Sequence, residues 1–247
     1  MPAPSRDIAG TVIAITGAGG GIGGAIARQA LEAGANVVVA DLREEPLLAL
    51  QSEWGKDRVA ICTGDIREEL TSDTIIATGV AAFGRVDSAV ANAGIGFYGG
   101  IWDYTAEQIK LMIDVNVMGT IWLTRAAVKQ FRAQGDGGDL VIMGSVAGLL
   151  IGGGKEAVYS ASKGAQNNLG YALDRELRSE GIRTTVIAPA GVNTPFAAGD
   201  GRFGDTPPEE GPFMHTGDIA GAVIYTLQQP RRMRTELWTM WSLSENH

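Results

Sequence analysis

Seven short apolar runs punctuate the chain, separated by longer stretches with helical spacing. They lie near residues 11–16, 36–41, 58–63, 87–91, 139–144 and 183–188, with a last one near 235–241. Thr11-Val12-Ile13-Ala14-Ile15-Thr16 is β-branched, and the residues after it, Ile22, Ile26, Ala30 and Leu31, recur on one helical face. Strands alternating with helices require right-handed crossovers, which predicts an α/β protein with a doubly wound parallel sheet of about seven strands and helices on both faces. No internal repeat or linker interrupts the alternation, so residues 1–247 are read as one domain. The stretch Ala197 to Thr216 breaks the pattern with Gly, Pro and acidic residues. We read the region near 193–216 as a segment that covers the substrate. Strand alternation puts Leu237, Thr239 and Trp241 on one face and Trp238 and Met240 on the other, so both faces of the last strand are expected to be buried, in the core or in an oligomer interface.

Composition narrows this picture. Glycine makes up 35 of 247 residues, about twice its usual share of about 7%, and much of the excess sits in loops. A net charge of −8, with no basic block beyond Arg231-Arg232 and Arg234, argues against nucleic-acid partners. Those arginines are expected to form a solvated turn. Cys62 is the single cysteine and lies in a strand pattern, as a small core residue would. No apolar stretch approaches the ~18 residues that cross a bilayer, and Met1-Pro2-Ala3-Pro4-Ser5-Arg6-Asp7 lacks a signal-peptide core. A soluble cytoplasmic protein without membrane or metal partners is therefore expected.

Two clusters carry chemistry. The first is Gly17-Ala18-Gly19-Gly20-Gly21-Ile22-Gly23-Gly24, between the first strand and its helix. Strand, glycine turn and helix together aim backbone N–H groups at a pyrophosphate. Gly19-x-Gly21-x-x-Gly24 fits the dinucleotide fingerprint, though so glycine-rich a loop fits many templates. Asp41 closes the second strand at the separation expected of a ribose-binding acid, which favours NAD over NADP because a carboxylate repels a 2′-phosphate. Arg43 softens that preference. The second cluster pairs Tyr159 with Lys163, at i and i+4 on one helix face, preceded by Ser145 at the end of Leu140-Val141-Ile142-Met143. A phenol ionises near pH 10, but a neighbouring ammonium stabilises the phenolate, and Ser145 can donate a hydrogen bond to a substrate oxygen.

With these motifs in their order, the chain from about residue 8 to 195 resembles the short-chain dehydrogenase/reductase family, whose fold is a single Rossmann-type domain. The family's Thr-Gly-x-x-x-Gly-x-Gly motif matches Thr16-Gly17-Ala18-Gly19-Gly20-Gly21-Ile22-Gly23. Its adenine-contacting acid matches Asp65, followed by Ile66, and its Asn-Asn-Ala-Gly motif matches Ala91-Asn92-Ala93-Gly94, with Ala91 in place of the first Asn. The helical Asn of the catalytic tetrad matches Asn116, and the Pro-Gly turn at the nicotinamide matches Pro189-Ala190-Gly191-Val192-Asn193-Thr194, one residue wider. The resemblance implies catalytic roles for Asn116, Ser145, Tyr159 and Lys163. It implies cofactor contacts at Gly17, Gly19, Gly21, Ile22, Gly23, Asp41, Leu42, Asp65, Ile66, Asn92, Ala93, Gly94, Val115, Tyr159, Lys163, Pro189, Gly191, Val192 and Thr194. It also implies NAD as cofactor and a homodimer or homotetramer.

In the reaction so implied, Tyr159 as phenolate takes the hydroxyl proton of an alcohol while hydride passes to NAD. Lys163 lowers the phenol pKa and bonds the nicotinamide ribose, Ser145 holds the substrate oxygen, and Asn116 anchors a water that links Lys163 to solvent. Gly152-Gly153-Gly154 suggests a roomy site, with Ile95, Phe97, Tyr98, Leu149, Phe196, Phe203, Phe213 and Met214 as apolar lining. A moderately hydrophobic secondary alcohol or ketone fits such a site. An NADPH-dependent reductase and a non-catalytic nucleotide-binding protein are the alternatives, with Asp41 the discriminating residue for the first.

Overall fold

Strand positions follow from apolar runs that serve two cores at once. A computed structural model describes residues 6–149, 154–194 and 213–245. Its seven strands are β1 (Val12–Thr16), β2 (Asn36–Asp41), β3 (Val59–Thr63), β4 (Ser88–Ala91), β5 (Gly138–Met143), β6 (Ile182–Pro189) and β7 (Leu237–Met240). All neighbours pair in parallel, in the order β3-β2-β1-β4-β5-β6-β7. The order reverses direction between β1 and β4, so the glycine turn after β1 and the loop after β4 flank a switch point where ligands bind in such sheets.

Helices α1 (Gly21–Glu32), α2 (Glu45–Trp54), α3 (Glu69–Phe83), α4 (Ala106–Met112), α5 (Gly119–Gln134), α6 (Ala157–Leu177) and α7 (Thr216–Leu227) are described. Side-chain alternation explains the two layers. Ile13, Ile15, Val37, Val39, Val141 and Met143 pack with α1, α2 and α7, while Val12, Ala14, Val38, Ala40, Leu140 and Ile142 pack with α3, α5 and α6. Strands β1, β2 and β5 thus bury both faces, as the inner strands of parallel sheets do. A π-helical turn, Ile113–Met118, joins α4 to α5. The continuous helix Ala106–Gln134 is long and apolar enough to cross a membrane by length and composition, contrary to the sequence reading. Leu123, Ala127 and Phe131 on it are buried in the core.

Core packing within the chain, the first of the two alternatives expected, does not bury the last strand on both faces: Thr239 is exposed and Leu237, Trp238 and Met240 are half-buried, because β7 is the sheet edge. The C-terminal arginines are not merely solvated either. Arg231 bonds Asp139 at 2.9 Å, and Arg234 pairs with Asp174 and Glu236. The sequence pattern revealed an exposed turn but not the buried acids waiting beneath it. Cys62 lies in β3 and is buried, and burial raises its thiol pKa.

Candidate active site

Backbone approach at the glycine turn decides what the cleft can hold. Gly17 has φ of +65°, and a Cβ there would lie 2.9 Å from the Ala93 Cα. At Gly23 a Cβ would lie 2.2 Å from the Gly17 carbonyl and 2.5 Å from Asn92 Nδ2, so the turn closes only without side chains. Asn92 Nδ2 donates to the carbonyl of Thr16 at 2.9 Å, and Thr16 Oγ1 accepts from the N–H groups of Asn92 and Ala93 at 3.1 Å. Thr16, not among the contacts expected from the motifs, staples β1 to the loop after β4. Helix α1 begins without a side-chain cap or an acid in its first turn, whereas α4 begins with a capping box and α7 has Asp218 in its first turn accepting from the His215 N–H. The cradle of backbone donors and the bare helix start together fit a pyrophosphate.

Around that cradle, Asp41 Oδ2 accepts from the Gly19 N–H at 2.9 Å and Oδ1 from the Arg43 N–H at 3.1 Å. Arg43 Nη2 donates to the Gly19 carbonyl at 3.3 Å, and Leu42 is exposed beside it. Asp65 is held by Arg67, whose Nε lies 2.8 Å from Oδ2, and that guanidinium keeps the carboxyl below its ordinary range. Ile66 packs where Gly119 admits it: a Cβ on Gly119 would lie 3.0 Å from the Ile66 side chain. Across the cleft, the Thr194 methyl is 3.7 Å from where a Cβ on Gly21 would be. Ile22 and Val115 are half-buried, while Val192 is buried and bridges to Met214.

Gly191 is enclosed. Its N–H donates to Glu245 Oε1 at 3.0 Å, and a Cβ there would lie 2.1 Å from the Phe213 ring. Pro189 ends β6 beside it. Of the lining candidates, Ile95, Phe97 and Tyr98 pack around Tyr159. Leu149 ends a 3-10 turn, Val146–Leu149, half-buried. Met214 instead belongs to the core, because its bridge to Val192 draws it under the sheet end. Phe196, Phe203, Gly152, Gly153 and most of the 193–216 segment lie outside the described residues.

The catalytic candidates converge. Lys163 Nζ lies 5.7 Å from the Tyr159 ring centroid, and Tyr98 stacks obliquely on the same ring at 5.6 Å. Lys163 is 5% exposed and donates to the Met143 carbonyl at 2.9 Å. Burial pushes its ammonium from an ordinary 10.5 down to about 7. Among the described residues it pairs with no carboxylate, so a nearby phenolate is an anion that offsets its desolvation. Ser145 Oγ accepts from the Ala147 N–H at 3.1 Å and donates to the Pro189 carbonyl at 3.4 Å. Asn116 sits inside the π-helical turn and is fully buried. Its Oδ1 accepts from the Ile95 N–H at 2.8 Å, and its Nδ2 donates to the Ile95 carbonyl at 2.8 Å and to Ser162 Oγ at 2.9 Å. Ser162 Oγ in turn donates to the Tyr159 carbonyl at 2.7 Å. Gly94 stands between them, where a Cβ would lie 3.3 Å from Asn116 Oδ1 and 3.5 Å from Lys163 Nζ.

A glycine cradle at a sheet switch point, next to a tyrosine with a buried lysine, defines a nucleotide-dependent oxidoreductase. The family model for short chain dehydrogenase matches residues 11–202, and the chain belongs to the short-chain dehydrogenase/reductase family. It is 32% identical over 222 residues to an uncharacterized oxidoreductase of Staphylococcus aureus (strain USA300), covering 90% of this chain and 93% of that one. A 3-ketoacyl-(acyl-carrier-protein) reductase from Brucella melitensis, complexed with NADH, superposes with a TM-score of 0.86 at 27% identity, over 96% of this chain and 98% of that chain. The closed form of a serine dehydrogenase complexed with NADP+ gives 0.87 at 24% identity, over 96% and 97%; that likeness shows the fold alone.

Proposed function

We propose that the chain is an NAD(H)-dependent oxidoreductase that interconverts a moderately hydrophobic secondary alcohol and its ketone. The observation that carries this reading is the buried Lys163 ammonium over the Tyr159 ring, beside Ser145 at the end of β5. Tyr159 takes the hydroxyl proton of the alcohol, and the charge on Lys163 favours the phenolate that accepts it. Ser145 turns its hydroxyl from Pro189 toward the substrate oxygen. Asn116 holds the loop after β4 at Ile95 and α6 in register through Ser162. The cofactor, when bound, supplies the hydride acceptor at C4 of its nicotinamide. Asp41 supports NAD, since its carboxylate anchors Gly19 and repels a 2′-phosphate. Ile95, Phe97 and Tyr98 support an apolar substrate, such as a cyclic or aryl-substituted alcohol.

A second reading, an NADPH-dependent carbonyl reductase, draws on Arg43, whose exposed guanidinium reaches over Gly19. The same proposal takes residues 1–247 as one catalytic domain acting in the cytoplasm as a homodimer or homotetramer. Fluorescence titration with NADH and NADPH, followed by a panel of secondary alcohols with each oxidised cofactor, tests it. Tyr159→Phe is expected to bind NADH normally and to lose turnover; near-normal rates in that variant would reject Tyr159 as the base.

A further inference from the structure

Ser145 owes its place to a residue that no motif singles out. Asn167 lies on α6 one turn beyond Lys163, is 1% exposed, and donates from Nδ2 to the Ser145 carbonyl at 3.1 Å. Room for the amide is cleared on both sides of the serine. A Cβ on Gly144 would lie 2.0 Å from Asn167 Oδ1, and one on Gly148 would lie 2.7 Å from Nδ2. Stability alone does not account for this residue. Asn167 Oδ1 is buried with no hydrogen-bond partner, a desolvation cost that an apolar side chain of the same size would avoid. On the other side of the serine, the Gly144 N–H donates to the Ile187 carbonyl at 2.8 Å. Ser145 is therefore clamped between β6 and the same helix that carries Tyr159 and Lys163.

We infer that Asn167 is a positioning residue that sets the distance between Ser145 and the Tyr159–Lys163 pair, an inference that rests on the alcohol dehydrogenase reading. Its test compares Asn167→Leu, Asn167→Ala, Ser145→Ala and the double variants, with NAD+ and the probe alcohols cyclohexanol and α-methylbenzyl alcohol. Thermal unfolding and the NADH dissociation constant are measured alongside. Asn167→Leu is expected to keep its melting temperature and an NADH affinity within about twofold of the parent. Its kcat should fall about tenfold or more with little change in KM, since only the transition-state contact is displaced. Because Asn167 acts through Ser145, the double variant should be no slower than Ser145→Ala. Unchanged kcat in both Asn167 variants, or losses that multiply in the double, would overturn the inference while leaving the functional reading intact. Should Leu at this site unfold the protein, Asn167→Ala carries the same comparison. If Ser145→Ala turns over like the parent, or the parent oxidises neither alcohol, the functional reading falls and takes this inference with it.

Discussion

Lys163 shows at the scale of one residue how function is bought against stability. Its ordinary pKa of 10.5 drops to about 7 on burial, so the unfolded chain binds a proton that the folded chain sheds between those values. The folded state of a base with a lowered pKa is penalised in full below about pH 7, and the penalty fades as pH rises toward 10.5. Lys163→Met is therefore expected to abolish turnover yet stabilise the protein, by about 2–3 kcal/mol more at pH 6 than at pH 9. Chemical denaturation of both proteins at the two pH values checks this, and a difference independent of pH would refute it. Asp41 acts through its charge at the edge of the glycine turn. In Asp41→Asn the side-chain oxygen still accepts from Gly19, but the repulsion of a 2′-phosphate disappears. The ratio of NADPH to NADH dissociation constants should fall by about tenfold, equivalent to ~1.4 kcal/mol. An unchanged ratio in fluorescence titration would locate cofactor choice elsewhere, with Arg43 the first suspect.

Between elements, long-range polar contacts tie together what the apolar pattern only lays side by side. Asp139 at the start of β5 has a side chain 4% exposed and accepts from Arg6 at 2.8 Å, Arg183 at 2.6 Å and Arg231 at 2.9 Å. One carboxylate thus joins the N-terminal segment, β6 and the loop before β7. Removing one member of a buried ion cluster leaves charges unpaired, so Asp139→Ala should cost roughly 3 kcal/mol or more. In a chain of this size that is a fall of about 6–12 °C in melting temperature; scanning calorimetry showing less than a degree would mean the arginines find water instead. Nothing in the sequence marks this acid, since its three partners come from segments far apart in the chain. The Tyr159–Lys163 pair was legible for the opposite reason: both residues sit on one helix, and four positions suffice to align them. Strand positions were legible because a parallel sheet buried on both faces leaves nearly continuous apolar runs. Asn167 carried a weaker signal, as a buried polar residue on a helix that otherwise packs against the sheet.

For the molecule as a whole, the last strand shows where alternation stops being informative. The pattern Leu237-Trp238-Thr239-Met240 reads as buried on both sides, but alternation records which side chains share a face and not whether another layer covers that face. Among the described residues β7 is the open edge of the sheet, and Tyr225, Met233 and Leu243 are exposed near the C-terminal end of the chain. Tyr225 meets Trp238 edge-on at 5.8 Å, and Trp238 Nε1 is buried without a hydrogen-bond partner. An open strand edge with apolar neighbours is a template for pairing with another chain. A second copy seated there would cover Tyr225 and Leu243 and explain why the strand is apolar on both faces. Sedimentation velocity at micromolar concentration is expected to show a dimer or tetramer, and Tyr225→Glu combined with Leu243→Glu should shift it toward monomer with the melting transition still cooperative. A monomeric parent would leave the tryptophans as edge packing alone. An oligomer indifferent to both substitutions would move the interface to another face, for which the exposed side of the long helix through α5 is the next surface to test.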